Sequence, residues 1–390
     1  MQKIDIKKQK RAKKIAFILT LFFRTAKAKT SIDLKTVKSI LIEDFTGIGD
    51  LVMLIPFIRI LRKNAPNASI DICCNSYGKP ILENLGIIRN FYLYDGRLRI
   101  NYLKPALRYI FQTIRFVFDI NRKNTYDIAI EPRGDLRYIF FMHFIRAKRK
   151  ISYNYSGGTS LLTDFIEPSA NVHHLVDDKI YLLEAIGCKI DEKDRIPFLE
   201  LNTEQIKKNK EFFEENFINN KLVIGIHPGA SSEKRRWPRY TELVNEILKK
   251  YCNIIVLVFS SPGEEEYANR VAIDKYRQKK QLFLINENMS NYIRYIAMCG
   301  IFIGNDSGGA HIAAALGKAV IGIYGSAIPE EVKPIGSNTI ITISNSLPCK
   351  PCGSEKCKMN SYKCLDSISV DNVLEKFEQL ASGMQNVQLY

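Results

Sequence analysis

The sequence predicts an α/β protein built on two parallel sheets. In both halves of the chain, short apolar runs of β type alternate with helix-periodic runs, a pattern that places helices on both faces of a parallel sheet. A charged, helix-prone stretch poor in β signals, residues 191–220, separates the halves. With 390 residues, each half is long enough for a core without disulfide staples, and 46% hydrophobic with 25% charged residues is ordinary globular composition.

In the first half, strands are expected at 37–42, 69–74 and 126–130, with a helix over 51–61. In the second, strands at 222–226, 254–259, 282–285, 301–303 and 320–324 read as buried, with helices over 239–250 and 310–316. The expected organisation is an N-terminal segment, 1–30, then domains over 31–195 and 196–390. Asp177 and Asp178 read as helix surface.

Residues 1–29 carry ten Lys and Arg against one acid, Asp5, which supplies +9 of the chain's formal +16. Between the charges, residues 15–23 are apolar except for Thr20. A basic tail and a secretory signal ending at Ala26-Lys27-Ala28 are the rival readings. Arg24 and the cations on both sides favour a basic interfacial helix whose Phe17, Leu21 and Phe22 enter a membrane surface. No apolar run reaches the ~18–20 residues of a transmembrane helix. Residues 98–123 mix Arg99, Lys104, Arg108, Arg115, Arg122 and Lys123 with Tyr102, Tyr109, Phe111, Phe116 and Phe118. Two readings stand: a helix packing its aromatic side inward, or a surface facing an anionic lipid or phosphorylated acceptor. No recognition motif accompanies it, so nucleic acid is not an expected partner.

Of nine cysteines, Cys73, Cys74, Cys188, Cys252 and Cys299 sit in apolar or helical contexts and read as core residues of a protein in a reducing cytoplasm. Cys349, Cys352, Cys357 and Cys364 are spaced x2, x4 and x6, which suits structural zinc. Disulfides and free or redox-active thiols are the alternatives.

Three glycine- or proline-containing loops and one acidic loop follow strand ends. In Asp44-Phe45-Thr46-Gly47-Ile48-Gly49-Asp50, Gly47 and Gly49 permit a tight turn and close backbone approach, and Asp50 falls near a helix start. That carboxylate is either a helix cap or a general base at the rim of a parallel sheet. GIGDLV lacks the third glycine of the dinucleotide fingerprint, which disfavours a dehydrogenase. Asp306-Ser307-Gly308-Gly309-Ala310-His311 joins a strand to an Ala-rich helix, a junction whose free amides and dipole suit a diphosphate, with Ser307 and His311 in reach. In residues 227–238, Ser231 and Ser232 precede Lys234, Arg235 and Arg236 beside the single Trp237. A cation there either is solvated or neutralises charge on a leaving diphosphate. Glu264 and Glu265, after Pro262-Gly263, either accept from sugar hydroxyls or simply suit a helix N-terminus.

The ordered series GIGD, MLIPFIRILRK, YDIAIEPRGDLR, HPGASSEKRRWP, SSPGEEE and GNDSGGAHIAAALGKAVIGIYG resembles glycosyltransferase family 9, the heptosyltransferase group that builds the lipopolysaccharide core. The resemblance runs over about 38–377 and leaves the first ~30 residues outside it, as fits an added interfacial segment. It implies a GT-B fold, two facing Rossmann-like domains with the active site in the cleft between them. The first domain would take the acceptor and the second the nucleotide-sugar. Asp50 would then be the base. Ser231, Ser232, Arg235, Glu264 or Glu265, Asp306, Ser307, Gly308, Gly309 and His311 would bind the donor. Gly47, Gly49, Arg133 and Arg137 would serve the acceptor side, where Glu131-Pro132-Arg133-Gly134 departs from the family's usual D-x-Q-G. The implied reaction is an inverting transfer, heptose from ADP-heptose by family default, to an anionic glycolipid. It needs no catalytic cofactor or metal, and the sequence holds no clear Asp-x-Asp site. The implied location is the cytoplasm, peripheral to the inner face of the inner membrane. The alternative is a non-catalytic sugar-nucleotide or lipid-binding protein of the same fold, against which the intact GIGD aspartate argues.

Overall fold

The parallel pairing expected from the alternating runs is present throughout. The computed structural model describes residues 27–28, 31–95, 106–169, 174–216, 222–350, 352, 357 and 361–384. Most of the basic N-terminal segment and residues 98–105 of the aromatic-cationic stretch lie outside these. No helix among the described residues is long and apolar enough to cross a membrane.

The chain divides into two compact units, one holding residues up to Gly47 with Met53–Arg195, the other Ile48–Val52 with Ile196–Tyr390. In the first, strands β1 (Lys27–Ala28), β2 (Ser39–Asp44), β3 (Ser69–Cys74), β4 (Ile88–Leu93), β5 (Tyr126–Glu131), β6 (Ala147–Tyr153) and β7 (Asp164–Ile166) form one sheet in the order β1-β7-β6-β5-β2-β3-β4. In the second, β8 (Leu222–His227), β9 (Ile254–Ser260), β10 (Leu282–Asn286), β11 (Ile301–Asn305), β12 (Ala319–Tyr324) and β13 (Ile340–Ser344) run β10-β9-β8-β11-β12-β13. Apart from β1, each order is that of a doubly wound nucleotide-binding sheet, which reverses beside its first strand. The reversal lies between β2 and β5 in one unit and between β8 and β11 in the other.

The central strands are apolar on both faces because helices cover both: all seven residues of β9 are buried, as are Ile40, Leu41 and Ile42 of β2. Five strands escape the sequence reading for a physical reason, and the first of them, β1, is only two residues long. β4 and β13 are edge strands and carry polar residues where one side is open. β7 is three residues long. β6 opens on Lys148, Arg149 and Lys150, two of which are matched by neighbours: Lys148 Nζ sits 2.7 Å from Asp127, and Arg149 Nε donates to Asp164 at 3.0 Å.

The helix expected over 51–61 is two helices, α1 (Ile48–Val52) and α2 (Ile55–Asn64), with Pro56 opening the second. Asp50 is therefore the third residue of α1. Helix α3 (Ala106–Lys123) turns Phe116, Val117 and Ile120 toward a core shared with Leu136, Ile139 and Phe141 of α4 (Leu136–His143). In α5 (Leu175–Ala185), Asp178 is not the surface residue expected. It is half-buried because the Tyr155 hydroxyl donates to it at 2.6 Å, and Asp177 pairs with Arg195. In the second unit, α6 (Thr203–Asn216), α7 (Tyr240–Lys250), α8 (Glu265–Val271), α9 (Met289–Met298), α10 (Gly308–Ala315) and α11 (Val370–Ala381) flank the sheet.

Candidate active site

At the sheet reversal of the second unit, β8 and β11 end side by side, with His227 opposite Gly304. Asn305, the last residue of β11, anchors the loop that follows β8. Its side-chain oxygen accepts from the Trp237 amide and the Tyr240 hydroxyl, both at 3.0 Å. Its nitrogen donates to the Pro228 and Gly229 carbonyls at 2.9 and 3.1 Å. All of its hydrogen-bonding capacity is thus spent on shaping one loop. Sequence reading passed over this residue because an Asn in a turn is commonplace.

Three buried polar atoms lack a hydrogen-bond partner: Asp306 Oδ2 and Ser307 Oγ, which follow Asn305 in the chain, and Arg235 Nε. Arg235 Nε lies 3.4 Å from Asp306 Oδ2, close enough for ionic attraction but not aligned as a hydrogen bond. Burial pushes the Asp306 carboxyl up, Arg235 draws it back, and the nearby Asp50 charge raises it further. A cluster of unsatisfied buried groups at a helix N-terminus is costly unless a ligand completes it. The neighbouring Arg236 is already committed: its Nε donates to the Ala230 carbonyl at 2.7 Å, and its guanidinium lies 4.2 Å from the Tyr267 ring centroid. The two arginines are thereby told apart.

Helix α1 packs on the start of α10, and two glycines make the approach possible. A Cβ at Gly308 would sit 2.5 Å from Ile48 Cβ and Cγ2, and one at Gly49 would sit 2.8 Å from His311 Cδ2. Asp50, Gly49, Asp306, Ser307, Gly308 and His311 therefore come together within the second unit; Gly47, one residue before α1, is exposed.

Glu264 and Glu265 separate cleanly. Glu264 Oε2 lies 3.2 Å from His227 Nε2, and His227 Nδ1 is 2.7 Å from the Tyr292 hydroxyl. A carboxylate accepting from Nε2–H leaves Nδ1 to accept from Tyr292. A Cβ at Gly309 would meet that hydroxyl, so the Glu264–His227–Tyr292 chain reaches the base of α10. Glu265 instead takes backbone amides at the start of α8, which holds its carboxyl below the usual value. Ser231 is exposed, and Ser232 precedes the single turn Glu233–Arg235 that carries Arg235.

The first unit has its own charged cluster at the β2–β5 reversal. Asp44 forms a buried ion pair with Lys179 of α5 at 2.8 Å and accepts from the Thr46 amide. Burial raises its carboxyl, but Lys179, Arg133 and Thr46 together bring it below the usual range. Glu131 is buried and accepts from Ser152 Oγ and the Gly134 amide, both at 2.7 Å, and from the Arg133 amide at 3.2 Å. Burial is the largest influence on its carboxyl and carries it up to about 7. Glu43 is buried with neither carboxylate oxygen hydrogen-bonded, and burial, Glu131 and Asp44 push it well above the ordinary value. Gly134 has φ +69°, a conformation open to glycine, and a Cβ there would sit 2.9 Å from Tyr153 Cβ. Arg137 is half committed, since its Nε donates to Asp135 at 3.0 Å and its second nitrogen to the other oxygen at 2.6 Å. Sequence reading missed Glu43 and Lys179, whose burial a single sequence does not signal.

None of the nine cysteines is in a disulfide. Cys349 is exposed, whereas Cys352, Cys357 and Cys364 are partly buried; burial raises the Cys364 thiol, Lys350 draws it back, and the nearby Cys349 and Cys357 add to the rise. No group of three or more metal-ligating side chains is assembled among the described residues.

The family model described as Glycosyltransferase family 9 (heptosyltransferase) matches residues 120–363, a stretch that holds YDIAIEPRGDLR and the later motifs. Lipooligosaccharide heptosyltransferase 2 of Haemophilus ducreyi is 22% identical over 357 residues, 87% of this chain and 99% of that protein. Among solved structures, the family 9 glycosyl transferase of Veillonella parvula aligns with a TM-score of 0.74 at 20% identity, covering 92% of this chain and 100% of the other. The Escherichia coli ADP-heptose lipopolysaccharide heptosyltransferase II aligns at 0.71 and 20% identity, over 89% and 99%. An E. coli heptosyltransferase with ADP-2-deoxy-2-fluoro heptose aligns at 0.64 and 14% identity, over 87% and 99%. The fold shared with these structures is GT-B, with two Rossmann-like domains.

Proposed function

The chain belongs to glycosyltransferase family 9, the heptosyltransferases, and on that premise we propose a donor, an acceptor class and a division of labour among its residues. The donor is ADP-heptose, in line with the E. coli relative solved with a fluorinated analogue. The acceptor is an anionic glycolipid of lipopolysaccharide-core type, as the names of the relatives suggest. The observation that carries this reading is the trio of unsatisfied atoms on Arg235, Asp306 and Ser307 at the start of α10, with Asp50 beside them.

The diphosphate takes the free amides of α10, the Ser307 hydroxyl and the Arg235 guanidinium, with His311 in the same helix turn. Asp306 holds Arg235 in place by charge. Glu264, fixed by His227, accepts from nucleoside or sugar hydroxyls, while Ser231 and Ser232 border the phosphates. Asp50 removes the acceptor proton as that oxygen attacks the anomeric carbon. The bond from that carbon to the diphosphate oxygen breaks, its electron pair leaves with ADP, and configuration inverts. Arg133, with Arg137 in support, receives acceptor phosphate. The enzyme works at the cytoplasmic face of the inner membrane, held there peripherally.

Cys349, Cys352, Cys357 and Cys364 would hold a structural zinc ion as thiolates. The fit rests on the donor set, four cysteine sulfurs with none in a disulfide, two of which, Cys349 and Cys357, lie near Cys364. Zinc there would brace the C-terminal segment. Metal analysis of the purified full chain expects one zinc per chain; a metal-free, fully active sample overturns the site.

The test of the donor is a thermal-shift series with ADP, GDP and UDP, then transfer from ADP-heptose to isolated glycolipid. A ligand at 100 times its Kd adds about 2.7 kcal/mol of stability, easily read as a melting shift. Stabilisation by ADP with heptose transfer is expected. A preference for UDP or GDP overturns the donor, and hydrolysis without transfer overturns the acceptor class.

A further inference from the structure

Large apolar side chains are exposed at nine described positions, and five of them belong to α3 and α4 and the residue that follows α4. On α3, Phe111, Ile114 and Phe118 are 70%, 59% and 60% exposed; Phe140 and Phe144 are 43% and 51%. Residues 111, 114 and 118 share one arc of a helix at 3.6 residues per turn, opposite the buried Ile120 and bordered by the buried Val117. Arg115 and Arg122 fall on that same outer arc, also exposed, with Lys123 and a single acid, Asp119, at its margin. The outer face therefore mixes aromatic and cationic groups, whereas an ordinary surface helix would be polar there.

The helices are tied to each other. The Phe116 and Phe141 rings lie 5.7 Å apart, the Asn121 side chain donates to the Phe144 carbonyl at 2.8 Å, and the Arg146 amide donates back to Asn121 at 2.7 Å. Phe118 is one turn from Asn121, and the Phe140 and Phe144 rings meet edge-on at 5.2 Å. The exposed side chains thus stand on one braced element.

We propose that this outer face of α3 and α4 docks the protein on an anionic lipid bilayer, its Phe and Ile side chains entering the acyl boundary while Arg115 and Arg122 meet lipid phosphates. Arginines flanking aromatic groups suit the level of the headgroups, where the stem is apolar and the tip is charged. A second copy of the same face suits it less, because a two-fold contact would set Arg115 and Arg122 near their own counterparts. The inference rests on the proposed membrane-anchored acceptor, and adds that the folded domain itself supplies a docking surface besides the basic N-terminal segment.

The experiment compares the full chain with Phe111→Ser/Phe118→Ser and with Arg115→Gln/Arg122→Gln in sedimentation with vesicles of phosphatidylcholine, with and without phosphatidylglycerol. Transfer to a deacylated, water-soluble acceptor is measured alongside. The aromatic double variant is expected to bind vesicles about ten-fold more weakly, with an unchanged melting temperature because the side chains are exposed. The arginine variant is expected to lose most of the gain that phosphatidylglycerol brings. Both are expected to keep parent-like transfer to the soluble acceptor. Vesicle binding equal to the parent's in the aromatic variant overturns the proposal, as does a parent that ignores vesicles. A parent that forms dimers which the variants break, without vesicle binding, assigns the face to self-association instead. Absence of transfer to any acceptor would instead count against the functional reading, leaving the vesicle result to stand alone.

Discussion

Substituting Gly308 by Ala tests how tightly the base is tied to the diphosphate site. The new Cβ would lie 2.5 Å from Ile48 Cβ and Cγ2, against about 3.5–4.0 Å for carbon atoms at rest, so one partner must yield by about 1 Å. Helix α10 is wedged against β11 and β12, whereas α1 is only five residues long. The part that moves is therefore α1, and Asp50 moves with it. Displacement of a reacting group by 1 Å costs about 10²-fold in rate. Overpacking costs about 1–3 kcal/mol, offset by up to about 1 kcal/mol from replacing a helical glycine. The expected result is a kcat lower by about 10²-fold, a melting temperature lower by a few degrees and near-parental ADP binding by calorimetry. A variant with parental kcat would refute the reasoning, since Ile48 and Asp50 would then not be held by that contact. Loss of ADP binding would also refute it, because α10 rather than α1 would have yielded.

Other expectations follow from the buried groups. Asn305→Ala should destabilise the protein by about 3 kcal/mol or more, because it strands the Trp237 amide, the Tyr240 hydroxyl and two carbonyls; chemical denaturation reads this. Lys179→Met leaves Asp44 buried without its partner and should cost about 3–5 kcal/mol at neutral pH, measured the same way. The Glu131 carboxyl is raised in the folded chain to about 7, so the folded state holds a proton that the unfolded state releases near 4.5. Its contribution to stability is present below about 4.5 and is lost as pH rises through about 7, amounting to about 3 kcal/mol. Asp44, held low, acts in the opposite sense: its contribution is present above about 3.8 and is lost as pH falls through its lower folded value. Denaturation across pH 3–8 should therefore show first-domain stability declining between about 4.5 and 7, a slope that Glu131→Gln flattens. A slope unchanged in that variant would place the proton elsewhere.

Much of the candidate site's backbone geometry was legible because its signals are local. Glycines next to a strand end, with an Asp or Ser at a helix start, mark close backbone approach whatever the rest of the chain does, and Gly49 indeed faces His311 while Gly308 faces Ile48. The central strands were legible because burial on both faces forces continuous apolar runs, as in β9. What escaped depends on partners distant in sequence. β6 hides behind Lys148 and Arg149, whose charges are matched by Asp127 and Asp164. Glu43 reads as an ordinary strand-end acid until its burial is seen, and Asp178 read as surface until Tyr155 reached it. The break between α1 and α2 was missed because the apolar run from Leu51 to Pro56 is continuous, although the proline gave a hint. The contact that distinguishes Glu264 from Glu265 is with His227, some forty residues earlier in the chain.

The most direct measurement is single-turnover transfer from ADP-heptose by the Asp50→Asn chain, with ADP affinity determined on the same sample. An amide of the same shape cannot take the acceptor proton, so transfer should fall by about 10²-fold or more while ADP binds as before. Parental transfer by this variant would contradict the assignment of the base and, with it, the mechanism proposed for this chain.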